Sequence, residues 1–373
     1  MKKTGLFYGL FLKLMICVAF AVALAACGGT GEGSKEKNRE ESIVSTEPER
    51  NKTEPESNKT ESESNKTEPE SSGKAVTLRI GALKGPTTMG LLFLMEDQKE
   101  GKASGDYEFQ MATGADELLP LMVSGKLDVA LVPANVAAIL YQKTQGAVAV
   151  VDVNVLGVLY LVSNDETVKG FEDLKGRTVY LTGKGTTPDY VLQYLLKGAG
   201  FAEGDMTLEY KSEAAEVAAL LAKQEGAVGF LPQPFVTAAC MQNERLQIVA
   251  SANEAWKELQ GGEDPKGLVT GVTVVRREIL DQYPDAVKTF LEEHEKSVRK
   301  LEENLETGAK LAVEAGIVGK EPIAVKAIPY CNVTCLTGEE MKAALQAYLE
   351  ILSGFDPSSV GGKLPGEDFY YVP

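Results

Sequence analysis

The chain has 373 residues, 44% of them hydrophobic and 25% charged, and a formal net charge of −16. That composition allows two lobes with a sizeable core and no disulfide staples. The acidity argues against nucleic acid or anionic lipid as partners, and a single histidine, His294, leaves little material for a histidine-rich metal site or a His-based triad.

At the N-terminus Lys2 and Lys3 precede a mostly apolar run over 5–26, broken only by Lys13 and ending in Leu24-Ala25-Ala26-Cys27-Gly28-Gly29. Residues 1–26 therefore read as a secretory signal. The small residues before Cys27 resemble the bacterial lipobox, whose cysteine is lipidated and becomes the mature N-terminus. A plain transmembrane anchor is the alternative reading. Either way the bulk of the chain lies outside the cytoplasm, and lipidation at Cys27 would hold it to the extracytoplasmic face of the cell membrane by a lipid anchor. Loss of the three signal lysines takes the net charge from −16 to −19.

Residues 27–74 are mostly Gly, Ser, Glu, Lys, Asn, Thr and Pro, too polar to bury a core, and read as a disordered charged tether. The heptad Asn51-Lys52-Thr53-Glu54-Pro55-Glu56-Ser57 recurs from Asn58 and from Asn65, with no apolar positions for a coiled coil. From residue 76 strand and helix patterns alternate, which predicts an α/β fold. A strand over 76–82 runs into Lys84, Gly85, Pro86, Thr87, Thr88 and Met89, followed by an apolar helix start at 91–95. The Gly-Pro pair ends the strand and presets the helix, and two hydroxyls stand beside unpaired helix amides, a turn able to hold a polar or anionic group.

A strand over 107–111, a short helix over 117–123 and a buried strand over 127–132 come next. Pro133, Ala134 and Asn135 then open a helix over 136–141, and strands are predicted over 148–151 and 156–162. A second unit opens at 171–177. Its strand over 178–181 feeds a second Thr-Thr turn, with Lys184, Gly185, Thr186, Thr187, Pro188 and Asp189, and then a helix over 190–197. A helix over 212–224 and a strand over 227–231 lead to Pro232, Gln233 and Pro234, which start another helix. The two units therefore look alike, with the Thr-Thr turns as two jaws. After a strand over 247–249 and a polar loop to 266 come a strand over 269–276 and a long helix over 285–304. The helices around 309–315, 322–327 and 339–352 have no companion strand. Cys331 and Cys335 close a small disulfide loop or remain free thiols.

Four stretches carry a likeness to a known family: the turn 85–88, Gly125-Lys126-Leu127-Asp128-Val129-Ala130, Phe171-Glu172-Asp173-Leu174-Lys175-Gly176-Arg177, and the segment 274–284. In this order behind a lipobox, residues 76–371 resemble the solute-binding lipoproteins of bacterial ABC importers, in the branch of nitrate, sulfonate, taurine and thiamine-pyrimidine binders. The resemblance implies a two-lobe type II periplasmic-binding-protein fold. Lobe 1 would be 75–162 with 268–373, lobe 2 would be 163–267, and the crossings would fall near 159–164 and 268–275. A ligand cleft would lie between the lobes and close about a hinge.

On that frame the ligand-binding candidates are Lys84, Gly85, Pro86, Thr87, Thr88 and Met89; Pro133, Ala134 and Asn135; Gly185, Thr186, Thr187 and Asp189; and Pro232 and Gln233. Each has a plainer reading: the threonines and Asn135 as helix caps, the lysines as solvated loop charges, and Asp189 as the complement of its own helix dipole. Tyr190 and Trp256 read as packing residues or as stacking partners for a ring, and His294 as a solvated residue on the wet face of the long helix. The expected function is a lipid-anchored, monomeric binding module that takes a small polar solute, anionic or zwitterionic, and docks on an ABC permease. No covalent chemistry, cofactor or metal is indicated. An enzyme of the same fold, acting on chorismate-derived or pyrimidine compounds, and a surface sensor domain are the alternatives.

Overall fold

The computed structural model of the protein describes residues 76–261 and 265–373, all within one compact unit, Pro69–Pro373. The signal segment, Cys27 and the tether up to residue 74 lie outside the described residues. The chain runs through β1 (Thr77–Leu83), the single turn α1 (Pro86–Met89), α2 (Leu92–Lys99), β2 (Asp106–Ala112), α3 (Ala115–Val123), β3 (Val129–Pro133), α4 (Ala134–Lys143) and β4 (Val148–Val155). There follow β5 (Leu159–Ser163), β6 (Thr178–Thr182), α5 (Thr187–Gly198), β7 (Thr207–Lys211), α6 (Ala214–Leu221), β8 (Val228–Pro232), α7 (Phe235–Gln242), β9 (Gln247–Ser251) and α8 (Ala252–Gln260). The remainder holds β10 (Gly271–Arg276), α9 (Arg277–Gln282), α10 (Pro284–Glu303), α11 (Leu305–Glu314), α12 (Glu321–Ala327), β11 (Val333–Leu336) and α13 (Gly338–Phe355).

Two sheets result, and they share a plan. The first has the order β11-β4-β10-β3-β1-β2 and the second β7-β6-β8-β5-β9. In each, three strands run parallel (β2, β1, β3; β7, β6, β8), and an antiparallel strand, β10 or β5, lies between the third of them and the next, β4 or β9. Sheet centres covered on both faces require near-continuous apolar strands, and the Val-rich β3, β4 and β10 supply them. The likeness of the two halves expected from the repeated turns is thus present in the strand order.

Several expectations need correction. The strand over 159–163 pairs with β8 and β9, so the chain passes from the first sheet to the second within 156–158, just ahead of the crossing expected near 159–164. The run 156–162 is apolar throughout, and only its pairing partners mark where it changes sheet. The polar loop expected up to 266 contains α8, whose charged residues conceal an apolar stripe: Ser251 caps it by accepting from the Glu254 amide, and Ala252 and Trp256 are buried. β7 has no counterpart in the expectation because it is a partly exposed edge strand. β11 gives the C-terminal helices the companion strand they were expected to lack.

His294 is fully buried. α10 turns Val287, Phe290, His294, Ser297, Val298 and Leu301 inward, a spacing of three and four that includes the histidine. Cys331 and Cys335 are free, and Cys331 donates its thiol to the Ala327 carbonyl.

Candidate functional site

The carboxyl ends of the parallel strands in both sheets carry the turns singled out in the sequence, and the structure divides their residues by role. Thr88 is a brace: its hydroxyl donates to the Leu83 carbonyl, and its amide bonds the Gly85 carbonyl at 3.1 Å. Met89 is wholly buried among Leu92, Ala309, Ala312 and Ile328. Gly85 is extended and Pro86 opens α1. Lys84 and Lys184 are exposed, the latter with Nζ 5.7 Å from the Tyr210 ring centre.

In the second turn Thr186 donates its hydroxyl to Gly183, and Asp189 is buried with its carboxylate engaged inside its own lobe. It accepts from the Gly185 amide at 2.7 Å, Gln193 Nε2 at 2.7 Å and the Tyr210 hydroxyl at 2.8 Å. That carboxylate organises the turn.

One pair of the other candidates meets across the lobes. Thr187 donates to Asn135 Oδ1 at 3.3 Å and accepts from the Tyr348 hydroxyl at 3.4 Å, while Asn135 Nδ2 reaches the Ser359 carbonyl at 3.5 Å. Pro133 pairs with Gly271, and the Ala134 amide bonds the Thr270 carbonyl. Pro232 pairs with Leu159, and the Gln233 amide bonds the Val158 carbonyl, beside the first crossing. Gln233 Oε1 accepts from the Thr237 hydroxyl at 2.8 Å, which leaves its Nε2 as the free donor.

Four residues absent from the sequence candidates, Asn154, Thr270, Gly271 and Ser359, complete the junction. A Cβ on Gly271 would lie 2.5 Å from Asn154 Oδ1 and 2.6 Å from the Thr87 methyl, so the backbone, Asn154 and Thr87 meet in a space only glycine leaves open. Among the described residues seven buried side-chain atoms have no hydrogen-bond partner, and five of them are on residues named above: Thr87 Oγ1, Asn154 Oδ1, Gln233 Nε2, Thr270 Oγ1 and Ser359 Oγ. Buried polar atoms are nearly always paired, and an orphan costs about 1–3 kcal/mol.

Two further hydrogen bonds join the lobes. The Tyr190 hydroxyl donates to Asp356 at 2.8 Å, and burial, with the carboxylate beside it, pushes that phenol up to about 12. The Tyr160 hydroxyl donates to the Tyr330 carbonyl at 2.7 Å. Trp256 on α8, wholly buried, has ring centres 4.5 Å from Tyr194 on α5 and 5.8 Å from Tyr348 on α13.

Next to Asn154 on β4 lies a polar cluster whose Asp152, Thr273 and His294 are fully buried. Asp152 Oδ2 lies 3.2 Å from His294 Nδ1, Asp152 Oδ1 accepts from the Thr273 hydroxyl at 2.8 Å, and Cys335 Sγ lies 3.9 Å from the same imidazole nitrogen. Carboxylate, imidazole and thiol, all capable metal ligands, stand within 4.8 Å of one another, and the first two are already hydrogen-bonded together. Burial pushes the Cys335 thiol up, away from thiolate. No described helix is long and apolar enough to cross a membrane.

Solved structures share this architecture. An ABC transporter protein from Parabacteroides distasonis superposes with a TM-score of 0.68 at 22% identity, covering 79% of this chain and 98% of that one. The periplasmic aliphatic sulphonate binding protein SsuA of Escherichia coli gives 0.61 at 17% identity over 80% and 96%. The periplasmic nitrate-binding protein NrtA of Synechocystis PCC 6803 gives 0.54 at 15% over 76% and 82%. At these identities the likeness establishes the fold, a two-lobed periplasmic-binding-protein fold. Among curated proteins none matches the chain. The family model described as ABC transporter, phosphonate, periplasmic substrate-binding protein matches residues 101–318, more than half of the chain, and the protein belongs to that family.

Proposed function

We propose that the protein is the lipid-anchored receptor of an ABC importer, a monomer that closes its two lobes on a small oxyanion-bearing solute such as a phosphonate or sulfonate and presents it to a permease. The observation that carries this reading is the set of buried side-chain atoms left without a hydrogen-bond partner on Thr87, Asn154, Gln233, Thr270 and Ser359. Hydroxyls of Thr87, Thr270 and Ser359 and the Gln233 amide donate to oxygen without a cation, and preorganised neutral donors in a dry site hold an oxyanion well. Phosphonate, sulphonate and nitrate in the names of the family and of two solved relatives support the same solute class. The lipobox-like Leu24-Ala25-Ala26-Cys27 supports an anchor on the extracytoplasmic face, and Cys27→Ser is expected to release the protein from membranes into the soluble fraction.

Thermal unfolding against alkylphosphonates, alkylsulfonates and nitrate tests the solute class. A solute at a hundred times its Kd stabilises by about 2.7 kcal/mol. No stabilisation by any of the three would remove the oxyanion reading, and chemical conversion of a bound solute would replace binding by catalysis. Thr87→Val is the sharper check. It deletes a buried hydroxyl that has no protein partner, so stability holds or rises slightly, while solute affinity falls about tenfold. Loss of stability together with unchanged affinity would move Thr87 out of the site.

A further inference from the structure

We infer that Asn154 decides which oxyanion the cleft prefers, by requiring one that still carries a proton. The inference rests on the reading of the cleft as an oxyanion site and adds the solute's protonation state to it. Asp152, Thr273, Asn154 and His294 are all fully buried. Asp152 takes the Thr273 hydroxyl on Oδ1 at 2.8 Å and faces His294 Nδ1 with Oδ2 at 3.2 Å. The Thr273 proton is thereby committed to the carboxylate, and its oxygen can only accept. Asn154 meets that need with Nδ2 at 3.1 Å. The amide therefore has one orientation, with Oδ1 turned to Gly271 and Thr87 and no partner of its own.

An oxygen held in this way accepts hydrogen bonds and offers none. Against a fully deprotonated oxyanion it is a buried lone pair facing another lone pair; against an oxyanion with one remaining O–H it is a matched acceptor. A phosphonate monoanion has that hydrogen. A sulfonate of the same shape has none, and a phosphonate dianion has lost it. Sites built around one hydrogen bond reject the analogue that lacks it far more strongly than sites built on shape. The protein's own titratable groups along this chain are Asp152, His294 and, 3.9 Å from the imidazole, Cys335, so any pH effect on affinity has to be separated from theirs.

Isothermal titration of the wild-type protein with methylphosphonate and methanesulfonate makes the separation, because the sulfonate does not titrate. Below the second ionisation of the phosphonate, methylphosphonate is expected to bind about tenfold or more tightly than methanesulfonate. Above that ionisation the ratio should collapse while the sulfonate's affinity hardly moves. Asn154→Leu should bring the ratio close to one at both pH values; if that variant fails to fold, the wild-type pH series decides alone. Equal binding of the two anions, or a preference for the sulfonate, would overturn the role of Asn154 and leave the oxyanion site standing. Binding of neither would overturn the role of Asn154, and if the other alkylphosphonates, alkylsulfonates and nitrate also fail to stabilise the protein the oxyanion site falls with it. Taurine binding as tightly as methylphosphonate while methanesulfonate binds weakly would assign the acceptor to an ammonium group and overturn the protonated-oxyanion preference.

Discussion

Replacing Asp152 with alanine is expected to lower the unfolding free energy by about 2–6 kcal/mol, the cost of leaving two buried polar groups without their partner. The carboxylate is fully buried between β4, β10 and α10, and its two oxygens serve Thr273 and His294. Without it the imidazole and the hydroxyl lose their partner where water does not reach, and each such orphan costs about 1–3 kcal/mol. Urea unfolding measures the effect, with the slope unchanged if the folded state stays compact. Asp152→Asn keeps an oxygen for Thr273 and should recover part of the loss. A drop below about 1 kcal/mol for the alanine variant would mean that water replaces the carboxylate, and the cluster would then not be the dry scaffold described above.

Trp256→Ala should cost a comparable amount, about 3–5 kcal/mol, as the removal of a large buried aromatic does. The effect reaches beyond a local cavity. Trp256 touches Tyr194 of its own lobe and Tyr348 of the other, and Tyr348 in turn donates to Thr187 at the cleft. Truncation removes the middle of that row, so solute affinity should fall along with stability and the denaturant slope should decrease as the lobes unfold less cooperatively. Trp256→Phe retains part of the contact and should lie between the two. Unchanged affinity in the alanine variant would show that Trp256 packs its own lobe without helping to hold the pair together.

Much of the architecture was readable from local chemistry. Strand, Lys-Gly, paired threonines and helix occur twice because two lobes with the same strand order each need a turn at the carboxyl edge of the sheet. What the turns do was less readable, because it depends on partners far along the chain. Lys84 and Lys184 are both exposed, the latter over the Tyr210 ring, and Asp189 is occupied by Gln193 and Tyr210. Asn154 escaped notice because Asp152 and Asn154 interrupt a run of valines and look like the end of a strand; only the facing Thr273 and His294 let that strand continue with polar groups inside it. His294 was hidden by its neighbours: Glu292, Glu293, Glu295 and Lys296 suggest a wet face, whereas the spacing from Val287 and Phe290 through Val298 places it on the dry one.

The position of Trp256 also gives the protein a built-in optical gauge. It is the only indole in the whole sequence, and it sits with no exposure to solvent where the lobes meet. Its emission therefore reports one place alone. Any separation of the lobes that admits water beside it would shift that emission to the red, and capture of a solute that favours the shut form would shift it back. Opening and closing can be followed in this way on the unaltered chain, without a label or an introduced residue.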